Sequence, residues 1–159
     1  MPRSIGDEIG KQDPFDLIEE EAFLNVWRTG AVLDHDVNAL LRPHGLTKVS
    51  YNVLRILRAA GASGRTGREI GSMLVAAVPD MARLIQRLEA LDFLTRTPDP
   101  DDRRVVRNVI TARGRRTLKA IDPPLRELHQ RQFAALSATE LRTLCTLLER
   151  SRDSARGME

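Results

Sequence analysis

Apolar residues recur every three or four positions over most of this chain, the spacing that places them on one face of an α-helix. The pattern predicts four amphipathic helical segments, at residues 15–41, 49–57, 81–88 and 141–148. Residues 93–97 and 105–110 instead predict two short paired strands around a turn that contains two prolines. The fold class that follows is mainly α with one small β-hairpin.

Side chains that cap helices indicate where the first two helices begin. Asp13 followed by Pro14 predicts the start of a long first helix that ends near Arg42, because Asp accepts backbone hydrogen bonds and Pro fits a first helical turn. Thr47 predicts the start of a second helix, which closes at Gly61. The long first helix has an acidic outer face, and we expect it to act in dimerisation.

The next two helices form a helix-turn-helix pattern. Thr66 and Glu69 match a capping box that opens a short third helix, and Pro79 at a first helical position opens a fourth. In the fourth helix the apolar residues fall on one face, and they are Met81, Leu84, Ile85 and Leu88. Two short helices, the second of which has a separate polar face, are typical of DNA-binding proteins.

The C-terminal part predicts further helices after the hairpin. Thr111 starts one helix, and Asp122-Pro123-Pro124 is expected to interrupt and restart it, with Asp122 as the new cap. A capping box at Ser137 starts the last helix. Cys145 lies on the apolar stripe of that helix, which predicts a position in the core or in a dimer contact.

Positive charge is concentrated in the middle of the chain. The formal net charge is +3 over 159 residues, but it is −4 for residues 1–54, +7 for residues 55–119 and zero for residues 120–159. Arginine accounts for 22 of the 25 cationic residues, and its guanidinium suits phosphate and guanine contacts. A genome rich in G and C would also favour arginine over lysine, but it would not cluster the charge. Double-stranded DNA is therefore the expected partner.

Composition argues against several other classes of protein. Aromatic residues make up 4% of the chain, too few for a platform that stacks single-stranded bases. No apolar run reaches the roughly 18 residues of a membrane helix, and the early acidic residues Asp7 and Glu8 disfavour a secretory signal, so we expect a cytoplasmic protein. Three scattered histidines and one cysteine suggest neither a metal site nor a cofactor, and no catalytic constellation indicates an enzyme.

With these segments in place, the sequence resembles the MarR family of winged-helix transcriptional regulators over residues 15–150. The segments that carry the resemblance are YNVLRILRAAG (51–61), TGREIGSML (66–74), VPDMARLIQRLEALDFLTR (78–96), DPDDRRVVRNVITARGRR (99–116) and LSATELRTLCTLLER (136–150). The resemblance implies a winged helix-turn-helix at residues 43–119, flanked by dimerisation helices at residues 1–42 and 120–159 that interleave within one structural domain. It also implies a homodimeric repressor on a pseudopalindromic operator, released by a small phenolic or anionic effector.

The resemblance and the polar faces together name candidate DNA-binding residues. These are Thr66, Arg68, Asp80, Ala82, Arg83, Gln86, Arg87, Arg103 and Arg104. Arginine can pair with guanine and glutamine with adenine in the major groove. By resemblance, Asp102 is expected to orient an arginine of the wing by a charge-assisted hydrogen bond. An alternative for Arg87 is a surface ion pair with Asp80 or Glu89.

Six residues lie where effectors bind in the family: Trp27, Arg28, His35, His44, Tyr51 and Arg55. Trp27 and Tyr51 fit a structural core equally well, and the histidines fit an exposed surface. Cysteine-based redox sensing in the family uses the first helix, where this chain has none, so a thiol switch is disfavoured.

Three positions depart from the family pattern. Asp92 replaces a glycine after the fourth helix and is expected to need a left-handed backbone, Asn108 leaves the register of the returning strand open, and Val78 is a poor cap. Two alternative functions also stay open. One is a winged-helix regulator without an effector, and the other is a helical interaction module of the same fold that does not bind DNA.

Overall fold

Helices and one hairpin make up most of the chain, in a computed structural model that describes residues 3–157. The elements are α1 (Ile5–Ile9), α2 (Ile18–Leu41), α3 (Lys48–Ala60), α4 (Gly67–Met73), α5 (Met81–Ala90), β1 (Leu94–Pro98), β2 (Val106–Ile110), α6 (Ala112–Gln132) and α7 (Ala138–Arg156), with short 3-10 turns at Arg42–His44 and Gly61–Ser63. The chain divides into two compact units between Asp122 and Pro123. None of the helices in the described part is long and apolar enough to cross a membrane. The expected fold class, mainly α with a β-hairpin wing, is confirmed.

Three helix starts that the sequence predicts are confirmed by their caps. The Thr47 hydroxyl accepts a hydrogen bond from the Ser50 N–H at 3.2 Å and begins α3. The Thr66 N–H donates to a Glu69 carboxylate oxygen at 2.7 Å, and the Ser137 N–H donates to Glu140 at 2.8 Å. These pairs satisfy N–H groups that have no partner inside the helix, so each fixes a start locally.

The predicted start of the first helix at Asp13-Pro14 is wrong. The chain first forms the short helix α1, which Ser4 caps by accepting a hydrogen bond from the Asp7 N–H at 3.1 Å. The long helix α2 begins only at Ile18, after Leu17 in an extended conformation. Its first turn contains three glutamates (residues 19–21), whose negative charges are favourable at the positive end of a helix.

The predicted restart at Asp122-Pro123-Pro124 is also wrong. Helix α6 runs through both prolines without interruption. Asp122 does not cap a helix, because its carboxylate is bound from α3: the Tyr51 hydroxyl donates to Oδ1 at 2.9 Å, and Arg58 forms an ion pair with Oδ2 at 2.5 Å. A tertiary contact has replaced the local role that the sequence suggests.

The core of the first unit is built around α3. Val53, Leu54 and Leu57 are fully buried, as their spacing predicts, whereas Val49 is half-buried. Other elements of this unit contribute further buried apolar side chains, among them Leu41, Leu46, Ile70, Ile85, Leu88, Phe93, Leu94, Ile110, Leu118 and Ile121.

In the second unit, Leu125 and Leu128 are buried, and Cys145 is exposed on the single chain. The core position for Cys145 is therefore wrong, and a dimer contact stays a prediction.

The hairpin is regular and is attached to the helix-turn-helix. Asp92 has φ 58°, which confirms the left-handed backbone predicted before it. The strands pair antiparallel from Leu94 opposite Ile110 to Pro98 opposite Val106. Asn108 keeps this register, is 2% exposed, and donates from its side-chain amide to the Arg65 carbonyl at 2.8 Å. The backbones of Arg65 and Asn108 also pair, which ties β2 to the segment before α4.

Candidate nucleic-acid interface

Helix α5 presents one polar face to solvent. Ala82, Arg83, Gln86 and Arg87 are exposed, while the opposite face packs into the core. The spacings of three and four residues between Ala82, Arg83, Gln86 and Arg87 place these side chains near one another on the helix surface. The face therefore carries two cations and one amide with both a donor and an acceptor.

Asp80, a candidate DNA-binding residue, has a structural role at the start of α5. It is the N-cap of α5, and its carboxylate accepts a hydrogen bond from the Arg83 N–H at 2.9 Å. Pro79 therefore lies before the helix and not at its first turn, and Val78 does not have to cap it. The carboxylate is favoured at this position because it satisfies a free N–H group and faces the positive end of the helix.

The two arginines of α5 have no ion pair within the described residues. Glu89 instead lies 3.7 Å from a guanidinium nitrogen of Arg96 on β1, and Asp80 is engaged as the cap. The alternative that Arg87 pairs with Asp80 or Glu89 is therefore wrong. Both guanidinium groups are available to an external anion.

A groove of about 390 Å³ lies between α4, α5 and the hairpin. It brings together three of the predicted DNA-binding residues, Arg68, Ala82 and Gln86. Arg96 and Asn108 also line it, and the sequence did not single out either of them as a site residue. Thr66 is half-buried beside α4, and its hydroxyl accepts a hydrogen bond from the Glu69 N–H at 3.2 Å.

The tip of the hairpin carries Arg103 and Arg104, both of them exposed and outside any ion pair of the described residues. Asp102 does not orient a guanidinium group as expected. Its carboxylate accepts a hydrogen bond from the backbone N–H of Arg104 at 3.0 Å. The short Asp102 side chain reaches the backbone two residues further along more easily than it reaches the end of a long, flexible arginine side chain. Asp102 therefore shapes the turn.

The sequence missed a second carboxylate that organises the tip. Asp99 is 6% exposed and accepts hydrogen bonds from the N–H groups of Asp101 at 2.9 Å and Asp102 at 3.2 Å. Arg107 on β2 binds its other oxygen. The hydrogen bond from the Arg107 guanidinium, followed by the one from the Asp101 backbone, lowers the pKa of Asp99 below its usual value. The Asp-x-Asp spacing is typical of a turn closed by a side chain and could have indicated it.

Comparison with known proteins identifies the family to which this chain belongs. A family model described as MarR family matches residues 44–105. The multiple antibiotic resistance protein MarR of Salmonella typhimurium is 30% identical over 118 residues, which cover 74% of this chain and 81% of that protein. The chain belongs to the MarR family. It is a winged-helix transcriptional regulator and not an enzyme.

Other MarR-type proteins align over nearly their whole length. A transcriptional repressor of Mycobacterium tuberculosis is 29% identical over 125 residues, covering 79% of this chain and 88% of that protein. A mutant MarR of E. coli in complex with operator DNA superposes with a TM-score of 0.74 at 26% identity, covering 86% of this chain and 99% of that one. CouR of Rhodococcus jostii bound to p-coumaroyl-CoA superposes with a TM-score of 0.71 at 26% identity, covering 85% and 94%.

The six expected effector residues of this MarR-family chain have varied surroundings. Trp27 is 66% exposed and contacts Phe23, with ring centroids 6.0 Å apart. Arg28 forms an ion pair with Glu8 at 3.0 Å, and His35 is exposed while His44 is half-buried. Two of the six are in contact, because the Arg55 guanidinium lies 5.9 Å from the ring centre of Tyr51. Tyr51 is buried, as its alternative place in the core predicts.

The ionisation of Tyr51 tests its contact with Asp122. Burial, followed by the hydrogen bond to Asp122, raises the pKa of Tyr51 from 10.0 to about 12. The pKa of Tyr51 is higher in the folded than in the unfolded chain. The neutral phenol therefore stabilises the fold fully below pH 10, and this stabilisation is lost as the pH rises through 12. Tyr51 is the single tyrosine of the chain, so tyrosinate absorbance reports on it alone.

We expect an absorbance midpoint near pH 12 in the native protein, and a lower midpoint in Asp122→Asn. Asparagine keeps an acceptor for the hydroxyl but removes the negative charge that opposes ionisation. Circular dichroism recorded on the same samples shows whether the chain is still folded at each pH. A midpoint near pH 10 in folded protein would contradict the contact.

Proposed function

We propose that this MarR-family regulator is a repressor that binds a pseudopalindromic operator as a homodimer and is released by a small effector. The observation that carries the proposal is the exposed face of α5, whose two arginines lack an ion pair in the described part, beside a hairpin tip with two more. Two of these cations lie on a helix and two on the turn between β1 and β2, so together they offer guanidinium donors suited to duplex DNA.

We assign separate roles to the candidate residues. Arg83 and Gln86, with Ala82 beside them, face the base edges of the major groove, where arginine pairs with guanine and glutamine with adenine. Arg87, Arg68 and Thr66 contact phosphates, and Arg103 and Arg104 reach the minor groove or the backbone from the wing. Asp80 and Asp102 act indirectly, because their carboxylates bind the backbone of Arg83 and Arg104.

A second copy of the chain is the proposed occupant of the apolar surface of α2. Ile18, Phe23, Val26, Trp27 and Val32 are each between 54% and 69% exposed. Leu147 of α7 is 53% exposed as well. Residues 1–42 and 120–159 then form the dimer, and residues 43–119 bind DNA. The twofold symmetry places two copies of α5 one helical turn apart, about 34–36 Å.

Relatives support repression and the binding of a small effector. The Mycobacterium tuberculosis protein is described as a repressor, and CouR binds p-coumaroyl-CoA, an aromatic and anionic molecule. We propose an effector of the same chemistry, held near Trp27, Arg28, His35, His44, Tyr51 and Arg55. The chromosomal location of an operator implies that the protein acts in the cytoplasm.

Titration of the DNA upstream of the protein's own gene tests the proposal. We expect tight binding with two protein chains per site, steep weakening as salt increases, and much weaker binding to a shuffled duplex of equal composition. Salicylate and other aromatic acids should release the DNA, and light scattering should show a dimer. Equal affinity for both duplexes would favour an interaction module, and operator binding that no aromatic acid alters would favour a regulator without an effector.

A further inference from the structure

We infer that Asp99 and Arg107 form the positioning pair of the wing, which sets the direction in which Arg103 and Arg104 face the DNA. The inference rests on the proposed function, because it concerns how the wing reaches the operator. It assigns to Asp99 the orienting role that the family resemblance gives to Asp102.

Asp99 lies at the centre of the hairpin tip. One of its carboxylate oxygens accepts the N–H groups of Asp101 and Asp102, and the other is bound by the Nε of Arg107. The N–H of Asp99 donates to the Val105 carbonyl at 2.8 Å, across the tip. A carboxylate on a side chain that is 8% exposed is stable in its charged form only when its oxygens are satisfied in this way.

Arg107 connects the tip to the helix-turn-helix. A terminal guanidinium nitrogen lies 3.5 Å from the Ser63 carbonyl, in the turn between α3 and α4. The next residue, Asn108, is paired with Arg65 through both backbone and side chain. The negative charge of Glu69 acts on Arg107 as well. The tip is therefore held from the body of the protein through β2.

Asp101 provides a matched comparison within the same turn. It is exposed, and its carboxylate makes no hydrogen bond or ion pair in the described structure, whereas the carboxylate of Asp99 makes three contacts. Removing either one deletes one negative charge near the phosphates. Charge alone predicts that both changes strengthen DNA binding, whereas a positioning role predicts that only the loss of Asp99 weakens it.

The test compares Asp99→Ala, Asp101→Ala and Arg104→Ala in the full-length chain, by fluorescence anisotropy with the upstream duplex. We expect Asp99→Ala to weaken binding about tenfold and to lower the salt slope by about one for each phosphate that the wing no longer binds. Asp101→Ala should bind as tightly as the native chain or more tightly. Arg104→Ala should cost much less in the Asp99→Ala background than alone, because the two changes remove the same interaction.

A protease measurement keeps the test independent of DNA binding. Trypsin should cut after Arg103 and Arg104 several times faster in Asp99→Ala than in the native chain or Asp101→Ala, at a temperature well below the melting temperature of each variant. If the alanine variant does not fold, Asp99→Asn takes its place in both measurements, because asparagine keeps an acceptor for the two N–H groups.

The outcomes separate the two proposals. If the native chain binds no DNA specifically, the proposed function fails, and the cleavage rates still decide whether Asp99 orders the tip. If the native chain binds and Arg104→Ala weakens binding, but Asp99→Ala matches Asp101→Ala in affinity and cleavage, the positioning role is overturned.

Discussion

Substitution of Arg83 by alanine should weaken operator binding by about 1–3 kcal/mol for each copy of α5, the cost of removing one good base contact. The proposed dimer carries the change twice, so the expected loss in affinity exceeds about tenfold even at the lower end of that range. Arg83 is the strongest candidate because its side chain is exposed, while its backbone N–H is fixed by Asp80. Its guanidinium thus extends from a helix start whose position is set.

Arg115→Ala is the matched control for this substitution. Arg115 is an exposed arginine in the first turns of α6 and lies outside the proposed interface, so its removal deletes the same charge without a base contact. Titrations at one salt concentration should show a small change for Arg115 and a large one for Arg83, with dimer and melting temperature unaffected in both. Equal losses would mean that Arg83 contributes only to the general electrostatic field.

Substitution of Gly64 by alanine should destabilise the fold by about 3 kcal/mol or more, from two separate causes. The backbone has φ 61° and ψ −168°, a region that is essentially restricted to glycine. An added Cβ would also lie 2.5 Å from the Asn108 carbonyl oxygen and 2.8 Å from the Val109 Cγ2. Since the Arg65–Asn108 bridge is next to this contact, the attachment of the hairpin would be the first part of the fold to fail.

Gly61→Ala separates the two causes. Gly61 has φ 65° and ψ −137°, but a Cβ there would meet no atom within 4 Å. Urea unfolding followed by circular dichroism should give about 1–3 kcal/mol of destabilisation for Gly61→Ala, and a clearly larger value for Gly64→Ala. If both variants lose the same free energy of unfolding, β2 does not approach residue 64 closely enough to exclude a Cβ atom.

Features that depend on neighbouring residues were predictable from the sequence. The caps at Thr47, Thr66 and Ser137 each bind a residue three positions further along, so one helical turn contains all the information. The left-handed conformation of Asp92 likewise depends only on the local backbone. The sequence predicts a start of α5 at Pro79, which is too early, because Pro79 and Asp80 both favour a helix start and the local pattern does not distinguish them.

Features that depend on distant partners were not predictable in this way. Asp122 has the sequence context of a cap, but its partners Tyr51 and Arg58 are 71 and 64 positions away. The pair of Asn108 with Arg65 spans 43 positions. The role of Asp99 requires the hairpin register, which places Arg107 opposite Thr97, near enough for its guanidinium to reach the Asp99 carboxylate. Tertiary contacts of this kind outweigh local propensity and appear only once the chain is folded.

The attachment of the hairpin through Arg107 and Asn108 also has a kinetic consequence. Ordering a loop costs about 1–2 kcal/mol per residue in backbone entropy, and here that cost falls in folding and not at the DNA surface. Association then requires only that a rigid surface meet the duplex in the right orientation, and long-range attraction by the basic middle of the chain speeds that encounter. Ionic strength should accordingly act on the rate of encounter, with no separate folding phase of the tip on the DNA.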